Sequence, residues 1–238
     1  MTPLRPWSPI PIHDNGEPLL PLPPALLRLE PHPYVRLGAP YGQGLSPFRL
    51  RSGVIDRLLV AQRHLEQQAP GLRLAIFDGW RPLAVQRFMV AWAYRQECHR
   101  RGLDPEAPGP ATEEVRRQVG RFWAPPSEAP ATPPPHSTGA AVDLTLADAD
   151  GLPLAMGGEI DAIGPESEPD HHAAAAAVEP DGAAALWHGR RRLLAAVLTG
   201  VGFARHPNEW WHFSHGDQLW AWRSGQGQAH YGRVPERN

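Results

Sequence analysis

Two short segments of the chain carry residues able to hold a metal ion. The first is His136-Ser137-Thr138-Gly139-Ala140-Ala141-Val142-Asp143. Gly139 permits a tight turn, and alternation of Val142, Leu144 and Leu146 against Asp143 and Thr145 predicts a strand from Ala141 to Leu146. His136 and Asp143 are thereby carried on converging backbone. A catalytic zinc takes three N or O protein ligands at roughly 2.0–2.2 Å and keeps a fourth position open for water. The second segment, Glu209-Trp210-Trp211-His212, supplies the missing ligand in His212 and a candidate general base in Glu209. Residues three apart in a regular strand point to opposite faces. Glu209 and His212 therefore share a site if the strand begins after Glu209, or if a bulge re-aims the chain. Pro207 and Asn208 favour a turn at that point.

A third feature is Asp78-Gly79-Trp80-Arg81-Pro82, at the end of one predicted element and the start of the next. Arg81 can stabilise negative charge developing on a carbonyl oxygen, or form a surface ion pair with Asp78 or a nearby acid; spacing alone leaves both open. Asp161 reads as an ordinary loop acid. His171 and His172 are adjacent, so at most one faces a site, and structural hydrogen bonding is the expectation. His188, His206, His215 and His230 show no partner pattern.

These residues need elements to position them. Behind Ser52, read as an N-cap, Val54, Ile55, Leu58, Leu59 and Leu65 recur at helical spacing. Leu72 to Phe77 alternates as a half-buried strand. Pro82 suits a first helical turn, and Val85, Phe88, Met89 and Trp92 form the apolar stripe that follows. Thr112 opens a shorter helix. The turn Asp148–Gly151 predicts a hairpin into Leu152–Met156, and Asp181 is read as the cap of a helix that ends near Gly200. A final strand pair is expected over Trp210–Ser214 and Gln218–Trp222. The sum is α+β: a single domain over residues 1–238, with a central antiparallel sheet, flanking helices and long Pro-rich loops.

Composition narrows the function. All 23 basic residues are Arg, which excludes a Walker-type phosphate loop, Schiff-base catalysis and any lysine nucleophile. The single Cys98 excludes internal disulfides and multi-cysteine zinc sites, and its helical setting reads as packing. A net charge of -2 gives no reason to expect a nucleic-acid or membrane partner, and the run Arg190-Arg191-Arg192 reads as a solvated helix face. The 29 prolines mark residues 1–50 as a Pro-rich N-terminal segment and 103–135 as a Pro-rich insert, and their clusters in Met1–Pro33, Asp104–Pro110 and Ala124–Pro135 are read as loops. The N-terminus has neither the basic start nor the apolar stretch of a secretory signal, so a cytoplasmic location is expected.

From about Arg51 to His215 the chain resembles the D-alanyl-D-alanine dipeptidases, zinc enzymes best known from vancomycin resistance. The resemblance rests on Phe77-Asp-Gly-Trp-Arg-Pro82, His136 through Leu146, His171-His-Ala-Ala174, Arg190-Arg-Arg-Leu193, Gly202-Phe203 and Glu209-Trp-Trp-His212, in that order. It implies one zinc per chain, held by His136, Asp143 and His212. It also implies Glu209 as the base that deprotonates the attacking water and Arg81 as the stabiliser of the tetrahedral intermediate. Asp161 would hold the substrate's free amino group, and Tyr34 corresponds to a family tyrosine at the substrate. Pro133-Pro134-Pro135 departs from the resistance enzymes, which have small hydroxyl residues before the first histidine, and the N-terminal segment matches poorly.

The implied function is zinc-dependent hydrolysis of D-Ala-D-Ala or a similar dipeptide in cell-wall peptide turnover, the dipeptide being the only partner expected. Two other readings compete: a D,D-carboxypeptidase or other cell-wall peptidase acting on longer peptides, and a non-catalytic zinc-binding module. Asp161 opposes the first by closing the amino end of the pocket. Glu209 and Arg81 oppose the second, because a structural zinc site needs neither. Oligomeric state is not legible.

Overall fold

The computed structural model describes residues 5–42 and 44–235; Met1–Leu4 of the Pro-rich start, Gln43 and residues 236–238 lie outside the described residues. In chain order the elements are β1 (Leu19–Pro21), β2 (Leu27–Arg28), α1 (Pro33–Arg36), β3 (Arg49–Arg51), α2 (Ser52–Gln68), β4 (Arg73–Asp78), α3 (Leu83–Arg100) and α4 (Pro110–Phe122). They continue with β5 (Ala141–Ala147), α5 (Ala173–Val178), α6 (Ala183–Thr199), β6 (Ala204–Arg205), β7 (His212–Ser214) and α7 (Gln218–Ser224). The architecture is α+β. A five-stranded sheet in the order β2-β4-β5-β7-β6 forms its centre, and β1 and β3 make a separate antiparallel pair. Every neighbour in the large sheet is antiparallel except the edge pair β2 and β4.

The alternation read from the sequence sorts the two faces of this sheet. Leu74 and Ile76 of β4 and Val142, Leu144 and Leu146 of β5 join one core with Leu58 and Leu65 of α2 and Leu194 and Leu198 of α6. Truncating one of these fully buried leucines to Ala costs about 2–5 kcal/mol. A second cluster, with Val85 and Met89 of α3, Val115 and Val119 of α4, Tyr34 and Trp123, borders the other face. Cys98 belongs to it as a buried packing residue. Among the described residues no helix is long and apolar enough to cross a membrane.

Several expectations need correction. Gln218–Ser224 is helical, not a strand: Asp217 Oδ1 accepts from the Trp220 amide at 2.8 Å as an N-cap, and Gly225 closes the helix at φ 68°. Leu152–Met156 forms no strand; the turn closes, but its return leg pairs only through an isolated Ala147–Pro153 bridge and the Leu154 amide. Proline has no N–H with which to extend that ladder. The Pro-rich N-terminus contains β1 and β2, so it is not wholly loop. Arg191 is buried rather than solvated, because its guanidinium donates to the carbonyls of Met156, Glu166 and Glu168. Ser52 is the first residue of α2, and Gly182 rather than Asp181 is the N-cap of α6.

Candidate metal centre and active site

Three polar residues form one row across the sheet. Asp78 at the end of β4 lies opposite Asp143 of β5, and Asp143 lies opposite His212, the first residue of β7. Ile76 pairs with Leu144, so an unbroken register would set Phe77 against Asp143. A one-residue irregularity between Ile76 and Asp78 replaces the ring with a carboxylate. His136 arrives from a 3-10 turn, Pro135–Thr138, which Gly139 ends at φ 71°. The positive φ is what calls for glycine there; a Cβ would also press on Leu19 Cδ1, at 2.5 Å, the movable end of a half-buried side chain.

The candidate ligand atoms converge. His136 Nε2 is 3.2 Å from both His212 Nδ1 and Asp143 Oδ2, and His212 Nδ1 is 3.0 Å from Asp143 Oδ1. Donors bound at roughly 2.0–2.2 Å in a tetrahedron stand about 3.3–3.6 Å apart, close to these separations. Hydrogen bonds orient both rings. His136 donates from Nδ1 to the Gly79 carbonyl at 2.7 Å, which leaves the Nε2 lone pair free. His212 meets Ser214 Oγ through Nε2 at 3.2 Å and turns Nδ1 inward. Asp143 Oδ1 is buried and makes no hydrogen bond of acceptable geometry. A cation seated among the three groups satisfies that oxygen, so the residues fit a metal ion.

Glu209 sits in the turn before β7, so the strand does begin after it and no bulge is needed there. Its Oε2 lies 3.6 Å from His212 Nδ1 and its Oε1 lies 3.5 Å from His206 Nδ1. Burial, reinforced by the nearby Asp143 charge, pushes the Glu209 carboxyl well above the ordinary glutamate range. That makes it a stronger proton acceptor than a solvated carboxylate.

Arg81 is buried and held from several sides. Asp78 accepts from its Nε and Nη2, Gln86 Oε1 accepts from Nη1 at 3.0 Å, and Asp143 Oδ2 lies 3.5 Å from Nη2. The ion pair with Asp78 therefore exists, but in the interior rather than at the surface. Tyr34, raised well above its usual pKa by burial and by Asp161, keeps its proton and donates it to Asp161 Oδ2 at 2.7 Å. Asp161 is a non-glycine residue at φ 68°, a conformation that aspartate tolerates better than most. Burial, then the Asp143 charge, pushes its carboxyl up to about 7. One cavity is bordered by Asp161, Arg81, Asp143, Glu209, His136 and His212.

The seven candidate site residues, His136, Asp143, His212, Glu209, Arg81, Asp161 and Tyr34, thus gather at one place, Tyr34 through its bonds to Asp161 and Arg81. Sequence reasoning missed Asp78 as a positioning residue, although its place in Asp78-Gly-Trp-Arg81 was a usable signal. It also missed His206 and Arg5 on the cavity wall, for which no local pattern exists. His172 donates to the Gly157 carbonyl, as a structural residue should.

A family model described as D-ala-D-ala dipeptidase, within the M15 peptidases, matches residues 28–230. The chain belongs to the D-Ala-D-Ala dipeptidase family. A D-alanyl-D-alanine dipeptidase from Synechocystis is 45% identical over 98% of each chain, so that match takes in the N-terminal segment whose motif resemblance is poor. The enzyme of that name from Escherichia coli is 32% identical over 61% of this chain and 56% of its own. A solved structure of the vancomycin-resistance D,D-pentapeptidase VanY, in complex with Zn(II), is 17% identical with a TM-score of 0.45, covering 94% of this chain and 96% of that one. Membership of the family makes the chain a peptidase.

Proposed function

We propose that this family member hydrolyses D-Ala-D-Ala or a closely similar dipeptide, with one zinc ion held by His136, Asp143 and His212. The observation that carries the reading is the inward turn of three ligand atoms beside the buried carboxyl of Glu209. Bound zinc lowers the pKa of a coordinated water to about 7 and polarises a carbonyl. Glu209 takes the proton as the water oxygen attacks the peptide carbon. It returns that proton to the amine nitrogen as the C–N bond breaks. Arg81, aimed by Asp78 and Gln86, offers positive charge to the carbonyl oxygen as it becomes an oxyanion.

Asp161 and Tyr34 supply the specificity in this reading. A carboxylate beside a phenol that stays protonated receives the substrate's ammonium group and fixes the cut one residue from the amino end. That placement favours a dipeptide over the longer peptides of a D,D-carboxypeptidase. The names of the Synechocystis and Escherichia coli relatives support the same substrate. The reaction then belongs to cell-wall peptide turnover in the cytoplasm, carried out by one domain. Release of free D-Ala from D-Ala-D-Ala, abolished by a chelator and restored by zinc, is the expected result. Absence of release from zinc-loaded protein refutes this substrate.

A further inference from the structure

The cavity contains a cation that the proposed chemistry does not use. Arg5 lines it together with Asp161, Arg81, Glu209 and His212, and the family match begins only at residue 28. Two of the five guanidinium N–H donors of Arg5 are engaged, from Nη1 to the Arg121 carbonyl and from Nη2 to the Gly120 carbonyl, both 3.0 Å, at the end of α4. Among the described residues Arg5 has no carboxylate within ion-pair distance, whereas Arg81 is already paired with Asp78 and Asp143. Burial lowers the Arg5 pKa and the Glu209 charge only partly opposes that shift, so an anion beside Arg5 relieves the remaining cost.

The arm that carries Arg5 is fixed in place. Trp7 is buried, edge-on to His206 with ring centroids 5.6 Å apart, and its ring lies 5.6 Å from the Arg5 guanidinium carbon. Gln218 Nε2 donates to the carbonyls of Ser8 and Ile10, tying the arm to α7. The same lining includes Pro133-Pro134-Pro135, which has neither amide N–H nor hydroxyl to offer an anion, while the Ser127 and Thr132 hydroxyls bond each other. Gln86 Nε2 is spent on the Ala124 carbonyl.

We propose that Arg5 is the specificity residue that reads the substrate's C-terminal carboxylate. The inference rests on the dipeptidase reading, and adds to it the second end of the substrate. Asp161 takes the ammonium, Arg5 takes the carboxylate, and a zwitterion of dipeptide length bridges them across the metal centre. An N-terminal arm outside the family match thus completes the pocket.

The test compares D-Ala-D-Ala with its C-terminal amide, using wild type, Arg5→Gln and Arg5→Lys. Wild type is expected to favour the free acid in kcat/KM by roughly 10- to 100-fold, the worth of a charge-assisted hydrogen bond. R5Q should lose that preference by slowing on the acid alone, and R5K should retain part of it. An R5Q variant that keeps the wild-type preference overturns the proposal. So does an equal loss on acid and amide with a lowered Tm, which would make Arg5 a mere tether of the arm to α4. If wild type cleaves neither peptide, the dipeptidase reading fails separately. Calorimetric binding of acid and amide to Glu209→Gln then decides Arg5, and equal affinity for the two contradicts it.

Discussion

Asp78 accepts from two guanidinium nitrogens of Arg81, Nε at 3.0 Å and Nη2 at 2.7 Å, with both side chains almost wholly removed from water. Such a fork fixes the plane of the guanidinium as well as its position. His32 Nε2 and Tyr41 Oη also reach Asp78, at 3.2 and 3.4 Å, so the carboxylate is the hub that holds this side of the site. Asp78→Asn takes from a buried cation the nearer of its two counter-charges, a change that costs up to about 3–5 kcal/mol. Denaturant melts should show that loss. Turnover should fall further than zinc content, because Arg81 is misaimed while the ligands remain.

Asp161 should leave a signature in the pH profile. Its carboxyl is held up to about 7 in the free protein, and only the ionised form attracts an ammonium group. As pH falls through about 7 the carboxyl takes up its proton, so kcat/KM should decline on that side. Asp161→Asn should lower kcat/KM at neutral pH, chiefly through KM, and remove Asp161's share of this limb, leaving the part set by the raised carboxyl of Glu209. An unchanged profile and KM would show that Asp161 does not hold the ammonium group.

The parts of the site that the sequence displays are those built from local chemistry. His136, Asp143 and His212 sit in short segments whose turn glycine and alternation announce where the side chains go. What it hides depends on pairing. Asp78 joins Asp143 and His212 in a row only because the register slips between Ile76 and Asp78, and a slip belongs to two strands at once. Arg191 reads as a surface charge because its partners are backbone carbonyls, which any sequence possesses. The aromatic stretch from Gln218 to Trp222 resembles a strand, whereas the capping bond from Asp217 and the left-handed Gly225 bound it as a helix. Arg5 reaches the cavity through the path of a proline-rich arm that no periodicity describes.

Glu17 offers a stability test outside the active site. Its carboxylate accepts from the Gly53 amide at the start of α2, from Ser52, from Asn15 and from Tyr231 near the C-terminus. Partial burial opposes ionisation, but these bonds prevail and hold its pKa below the ordinary glutamate value. The stabilisation is therefore full above that ordinary value and is lost as pH falls through the lowered one. Glu17→Gln should cost about 1–2 kcal/mol at neutral pH, allowing for solvent screening. The gap to wild type should close below about pH 4. A constant gap would mean that shape rather than charge matters.

The most direct measurement sets metal content beside hydrolysis for Glu209→Gln and His136→Ala. Glu209 is expected to move the proton without holding the metal. Glu209→Gln should therefore retain one zinc per chain while hydrolysis of D-Ala-D-Ala drops by at least about 100-fold. His136→Ala removes a ligand and should lose zinc and activity together. Wild-type turnover in a zinc-loaded Glu209→Gln protein, or full zinc retention without His136, would contradict the assignment of base and ligands.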